Sequence, residues 1–356
     1  MSVGTEESLA VRAEMAVYGV QVDAPVRRTK GAGPSDDGHL VVDGANATLP
    51  IVADSPYQVR DGAVFRNGLN LGLSVEPVRR PRFYDLTTAD GIPYQQIALL
   101  HGKDVLATTV VQTCIRYDEA TRCRFCSIEE SLRAGSTIAA KTPAQLAEVA
   151  EAAVRLDGVT QMVMTTGTTT GPDRGARNLV RSVQAVLAAV PGLPIQVQIE
   201  PPGDLSVLTD LREAGATSIG IHVESLDDAV RRRWMPGKST VSLAEYEAAW
   251  DEAVRVFGRN RVSTYLLIGL GEDPDDLVAG AGRLIDRGVY PFVVPLRPMV
   301  GTLARADGVL PPSPELVRDV TSRVAELLAV AGMRGADQGA GCAACGACSL
   351  LSAAGS

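Results

Sequence analysis

Between residues 105 and 330, apolar β-branched runs alternate with amphipathic stretches of helical period, and this alternation narrows the fold more than any other feature of the 356-residue chain. The runs at 105–111, 159–164, 195–199, 218–223, 262–268 and 290–294 read as strands. Helices are expected at 142–156, 176–190, 205–214, 226–234, 243–257, 275–287 and 314–330. The first carries its own start signal: Thr142 can cap it, Pro143 suits its first turn and Gln145 can close a capping box. Strands separated by helices demand a parallel sheet with helices outside it. The strands read as apolar on both faces, as a fully covered sheet requires. Six units are fewer than the eight of a closed barrel, and a doubly wound open sheet fits the same count.

The flanks have a different texture. Residues 1–100 are broken by Pro and Gly, as at Gly31-Ala32-Gly33-Pro34-Ser35-Asp36-Asp37-Gly38. Short alternating runs lie at 39–42 and 48–52, with Asp43-Gly44 as a turn signal between them. No chemical motif is visible here, so an irregular, β-rich cap or partner surface is expected, followed by a barrel-like unit at 101–335 and a tail at 336–356. No apolar run approaches the roughly 18 residues that span a bilayer. The start, MSVGTEESLAVRAEM, lacks the basic-then-apolar pattern of a signal peptide, and a cytoplasmic chain is expected. A net charge of −8 with 4% aromatic residues is a poor basis for gripping nucleic acid.

All six cysteines fall in two tight groups, Cys114, Cys123 and Cys126, then Cys342, Cys345 and Cys348. In a reducing compartment, clustered thiols point to metal rather than to disulfides. Cys123 and Cys126 have the two-residue gap that lets neighbouring thiolates face one metal centre. A structural zinc or an electron-carrying cluster is normally closed by four protein ligands. Here three stand together, and no further Cys or His follows until His222. Three ligands leave one position open for a substrate or cosubstrate. A zinc site completed from a distance is the competing reading.

A three-cysteine site just past the first strand of a β/α array resembles the radical S-adenosylmethionine (radical SAM) superfamily, and Phe125 before the last cysteine also matches. The departure is the gap after Cys114, most often three residues in that superfamily and eight here, which marks a subfamily. Later strand ends are similar to lipoyl synthase and biotin synthase: Thr165-Thr166-Gly167 with Pro172-Asp173-Arg174-Gly175-Ala176, then Glu224 to Lys238, then Gly269-Leu270-Gly271-Glu272, then Pro295-Leu296-Arg297-Pro298. The whole chain also looks like an uncharacterised bacterial radical SAM group encoded beside nitrilase-type genes.

The resemblance implies a partial (β/α)6, TIM-like radical SAM barrel. It implies a [4Fe–4S] cluster on Cys114, Cys123 and Cys126 whose open iron binds S-adenosylmethionine. Thr166 and Gly167 would meet the methionine amino group, Glu224 a ribose hydroxyl, Arg231 or Arg233 the methionine carboxylate, and Gly269 and Gly271 the adenine. Reductive cleavage to methionine and a 5′-deoxyadenosyl radical, hydrogen abstraction from a small-molecule or cofactor-precursor substrate, and an electron donor such as flavodoxin or ferredoxin follow from it. Arg297 faces the substrate or closes the rim, and His222 is left outside the site. The tail spacing resembles part of the bacterial ferredoxin run, with Ser352 where the next cysteine would come. A second, auxiliary [4Fe–4S] cluster on Cys342, Cys345 and Cys348 is expected, folded over the barrel mouth. A non-catalytic iron–sulfur carrier or scaffold and, more remotely, a zinc-dependent barrel hydrolase are the alternatives. With three histidines at no ligand spacing, zinc is the weaker of these.

Overall fold

The computed structural model describes residues 5–22 and 38–355, so the turn-rich run at 31–38 falls outside them except for Gly38. The N-terminal region opens with a helix, Thr5–Tyr18, which the sequence did not announce. It is followed by β1 (Gln21–Val22), β2 (His39–Val42), β3 (Ala45–Thr48), β4 (Tyr57–Arg60), β5 (Ala63–Arg66) and β6 (Leu69–Pro77). These form one sheet in the order β1-β4-β5-β6-β2-β3. Asp43-Gly44, Asp61-Gly62 and Asn67-Gly68 make its tight turns, with φ positive at both residues of each pair. That is the two-residue hairpin geometry whose twist matches the flanking strands. With so short a turn, β3 begins at Ala45 rather than at the expected 48. The opening helix joins the two halves of the molecule: Ala13 and Val17 pack in the barrel core, Met15 and Ala16 in the core under the first sheet.

The second sheet contains β7 (Leu99–His101), β8 (Val105–Thr109), β9 (Gln161–Thr165), β10 (Ile195–Ile199), β11 (Ser218–Ile221), β12 (Val262–Ile268) and β13 (Val289–Pro295). Its spatial order follows the chain from β7 to β13. β7 runs antiparallel to β8, and the remaining neighbours are parallel. A doubly wound sheet reverses its strand order at a switch point. This order never reverses, so every right-handed crossover puts its helix on the same face and the sheet curls into an open, six-unit half-barrel. The helices fall where expected. Thr142 and Gln145 form the capping box at the head of Pro143–Asp157. Met162, Met164, Val197 and Ile219 are fully buried in the core. Trp250 donates its indole N–H to the carbonyl of Ile221 at 3.0 Å.

The inner face corrects the sequence reading, because it is polar where apolar strands were expected. Gln196 and Gln198 share one face of β10, and Ser263 and Tyr265 one face of β12. The residues that satisfy this lining come from the tail, which enters at the starts of the strands and not over their C-terminal mouth. Gly341 N donates to Gln161 Oε1 at 2.8 Å, Cys342 N to Gln196 Oε1 at 3.3 Å, and Ser218 Oγ to the carbonyl of Ala340 at 2.9 Å. The tail then follows β13, where Ser349 Oγ donates to Val293 O at 2.6 Å. From there it meets the first sheet, where Thr48 N donates to Ala347 O at 2.7 Å.

Gly341 makes this insertion possible. Its φ is +112°, and a methyl group there would stand 2.1 Å from the Gln196 side chain. Gly341→Ala is expected to destabilise the seated tail by about 1–3 kcal/mol through overpacking, with left-handed strain in addition. Limited thermolysin digestion should clip the variant's tail under conditions that leave the parent intact.

Candidate active site

The first cysteine group lies at the C-terminal end of β8, on a loop fastened to the end of β9. Val110 N donates to Thr165 O, Gly167 N to Val111 O, both at 2.8 Å, and Ile115 N to Thr168 O at 2.9 Å. Gly167 is required for this approach, since a methyl there would lie 2.0 Å from the carbonyl oxygen of Thr113. Thr166 turns its hydroxyl onto the carbonyl of Gly167 at 2.9 Å. The long gap after Cys114 is an ordered loop. Asp118 accepts from Thr121 Oγ1 at 2.7 Å and from Ala120 N at 2.9 Å. Cys126 N returns to Cys123 O at 3.0 Å, and Arg124 N to Trp234 O at 2.7 Å.

Burial pushes the Cys123 thiol well above its usual range and Cys126 up to about 11. Each is opposed further by its sulfur neighbours and by Glu224, while the Lys238 ammonium acts the other way on both. Lys238 donates to Glu224 Oε2 at 2.5 Å, with both side chains mostly buried. Burial alone would lower the Lys238 pKa; the Glu224 carboxylate beside it raises it well above its ordinary value. Glu224 itself sits at φ +62°, a left-handed conformation uncommon outside glycine. All six cysteines are partly exposed as residues, and burial is the main cause of the upward shifts of Cys123, Cys126, Cys342, Cys345 and Cys348. Among the described residues, no three His, Cys, Asp or Glu side chains converge on one ion-sized position.

A second charged cluster, which sequence reasoning missed, braces the same end of the barrel. Glu200, just past β10, accepts from Arg116 Nε at 3.0 Å and Nη2 at 2.6 Å, from Arg174 Nη1 at 2.6 Å and from Thr168 Oγ1 at 2.9 Å. Arg116 lies inside the long cysteine gap and also reaches the carbonyl of Gly237. The extra loop length thus carries a guanidinium that locks the cysteine loop to β10. The signal available in the sequence was an acid directly after an apolar strand, the same signal that singled out Glu224.

The other expected residues separate. Arg231 is 1% exposed and already engaged: it donates to Asp228 and the carbonyl of Val241 and lies over the Tyr246 ring at 5.2 Å. It packs the short helix Asp228–Trp234, while Arg233 on that helix is exposed. Gly269 has φ +103° and packs on Pro312, while Gly271, at φ +106°, has open space around its would-be side chain. Glu272 receives a hydrogen bond from Ser225 Oγ and is pushed up to about 7, mainly by burial. Arg297 donates to Thr48 O at 2.7 Å, so it closes the rim against the first sheet.

The tail thiols lie deeper in the lumen. Cys342 Sγ receives Gln198 Nε2 at 3.3 Å, Cys345 Sγ receives Asn46 Nδ2 at 3.9 Å, and Cys348 Sγ lies 3.9 Å from Thr48 Oγ1. Burial pushes Cys342 up to about 11 and Cys345 up to about 12. The first sheet therefore supplies one wall of this site. His222 and Tyr265 stack between the two cysteine groups with ring centroids 4.1 Å apart. Burial, and then Lys238, depress His222 to about 3, so it is neutral at physiological pH.

Removing a partner from a buried ion cluster costs about 3–5 kcal/mol. Glu200→Ala should lower the unfolding free energy in urea by that amount, and adding Arg116→Ala should recover part of the loss. Equal stability of Glu200→Ala and the parent would show that the cluster does not brace the barrel.

Residues 120–281 match the model of the radical SAM superfamily. A curated relative, bacteriochlorophyllide c C-7(1)-hydroxylase from Chlorobaculum limnaeum, is 24% identical over 257 residues, 67% of this chain and 63% of its own length. Among solved structures, methylornithine synthase (PylB) aligns with a TM-score of 0.50 and 18% identity, covering 71% of this chain and 69% of its own. The FeFe-hydrogenase maturase HydG from Carboxydothermus hydrogenoformans aligns with a TM-score of 0.48 and 17% identity, over 65% of this chain and 53% of its own. The chain thus spans less than two thirds of the hydroxylase and about half of HydG.

Proposed function

We propose that this chain is a radical SAM enzyme that reductively cleaves S-adenosylmethionine and abstracts hydrogen from a small molecule bound in the barrel lumen. The observation that carries the reading is the gathering of Cys114, Cys123 and Cys126 just past the end of the first parallel strand, beside the Lys238 ammonium. The residues present fit a [4Fe–4S] cluster: three thiols, a neighbouring cation to favour their charged form, and one iron position left for the cosubstrate. When bound, such a cluster supplies the electron that splits the sulfonium into methionine and a 5′-deoxyadenosyl radical.

The chain's own work is to hold and to orient. Thr166 and Gly167 keep the cysteine loop in place and offer backbone to the methionine amino group. Glu224, paired with Lys238, presents a carboxylate to a ribose hydroxyl. The open space at Gly271 admits the adenine edge to the backbone. With Arg231 engaged, Arg233 is the one of the expected pair left for the methionine carboxylate. The lumen keeps bulk water from the reacting atoms. Flavodoxin or ferredoxin is the class of electron donor that suits this chemistry. We assign the tail cysteines to a second iron–sulfur centre, because their spacing resembles part of a ferredoxin run and the amides of Gln198 and Asn46 donate to Cys342 and Cys345 in the way that tunes such centres.

Reduced, anaerobically reconstituted chain given S-adenosylmethionine is expected to form 5′-deoxyadenosine. Cys114→Ala, Cys123→Ala and Cys126→Ala should each abolish it, and full activity in any one of them would reject the assignment. Glu224→Gln should keep its iron but bind S-adenosylmethionine about 10- to 100-fold more weakly, the effect of losing one charged hydrogen bond. Replacing Cys342, Cys345 and Cys348 together by Ala retains the backbone seating of the tail. It should lower the iron count from about eight to about four while 5′-deoxyadenosine still forms. An unchanged count would remove the second centre.

A further inference from the structure

We infer that Trp234 is a positioning residue for S-adenosylmethionine cleavage: it sets the loop that carries Cys123 and Cys126 against the loop at 269–271. The inference rests on the proposed function, in which the first loop holds the cluster and the second receives the adenine.

Trp234 ends the short helix Asp228–Trp234 and is 4% exposed. The last carbonyls of a helix have no partner within it and must find one elsewhere. The Trp234 carbonyl accepts from Arg124 N at 2.7 Å, and Arg124 lies between Cys123 and Cys126. The Arg124 carbonyl in turn accepts from Ala304 N at 2.8 Å, so this short link between two cysteines is held on both sides. The indole of the same residue reaches the other loop: its Nε1 donates to Leu270 O at 2.6 Å. Leu270 is buried, and among the described residues the indole is the one donor its carbonyl has. Gly269 and Gly271 flank it with φ of +103° and +106°, a left-handed backbone on each side of the bonded carbonyl.

Two further bonds tie the segment around Trp234 down, each to one loop. Gly237 N donates to Thr121 O at 2.9 Å, and a methyl on Gly237 would stand 2.7 Å from that oxygen. Ser225 Oγ donates to Glu272. Trp234 bonds to both loops, so their separation is set through one rigid side chain. Without the indole N–H, a buried carbonyl loses its donor, which costs more than the net worth of the bond, and the glycine loop shifts to recover a partner. Misplacing a reacting group by about 1 Å is enough to cost about 100-fold in rate.

The test uses the full-length, anaerobically reconstituted chain carrying Trp234→Phe. A second version replaces the Trp234 indole by benzothiophene, which exchanges the N–H for sulfur at nearly the same shape and decides the matter if the Phe chain fails to fold. Iron content and melting temperature should match the parent. Hydrogen–deuterium exchange should speed up at both 121–126 and 266–272. Affinity for S-adenosylmethionine should fall by less than about 10-fold, while the rate of 5′-deoxyadenosine formation at saturation falls by about 10- to 100-fold. A parental saturated rate in a folded variant, or faster exchange confined to 266–272, would overturn the inference and leave the proposed function standing. Absence of 5′-deoxyadenosine from the parent chain itself would overturn both.

Discussion

A buried polar group must find a partner, and the interior of this barrel is arranged around that requirement. Small parallel barrels usually fill their centre with layers of branched apolar side chains. Here Gln161, Gln196 and Ser218 take that place near the strand starts, and each is hydrogen-bonded to the backbone of the tail. Replacing the tail by water would expose the lining and flood the lumen. With the tail seated, three thiols are carried in against the lining and the first sheet.

Charge is organised by the same economy of partners. Glu224 and Lys238 neutralise each other beside Cys123, and Glu200 gathers two guanidiniums and a hydroxyl beside the loop that bears Cys114. Burying an unpaired charge is expensive, so these pairs fix the loop as firmly as packing would. Near Lys238, His222 is stacked on Tyr265 and is neutral at physiological pH because burial depresses it. The N-terminal sheet, which carries no motif of its own, gains its role from position: Asn46 and Thr48 face the tail thiols.

Much of this was legible in the sequence, for physical reasons. The capping box at Thr142, the turn at Asp43-Gly44 and the strands at 195–199 and 262–268 are local signals that tertiary contacts did not override. The three-cysteine loop was visible because ligand spacing is local too. What stayed hidden depends on contacts across the chain. The alternation Ile195-Gln196-Val197-Gln198-Ile199 has the period of a strand with one polar face, yet nothing nearby says which segment will satisfy that face. The tail was expected over the barrel mouth because its route is fixed by glutamines about 145–180 residues away. Arg231 looked available because a run of three arginines on a helix reads as surface, and only the fold turns the first of them inward.

Two iron centres at opposite ends of one lumen form the central claim. The most direct measurement is an anaerobic crystal structure of the reconstituted chain with anomalous scattering recorded at the iron edge. The account predicts two separate iron peaks, one bounded by Cys114, Cys123 and Cys126 and the other by Cys342, Cys345 and Cys348. A single peak at the first group, or iron bound away from both, would contradict it.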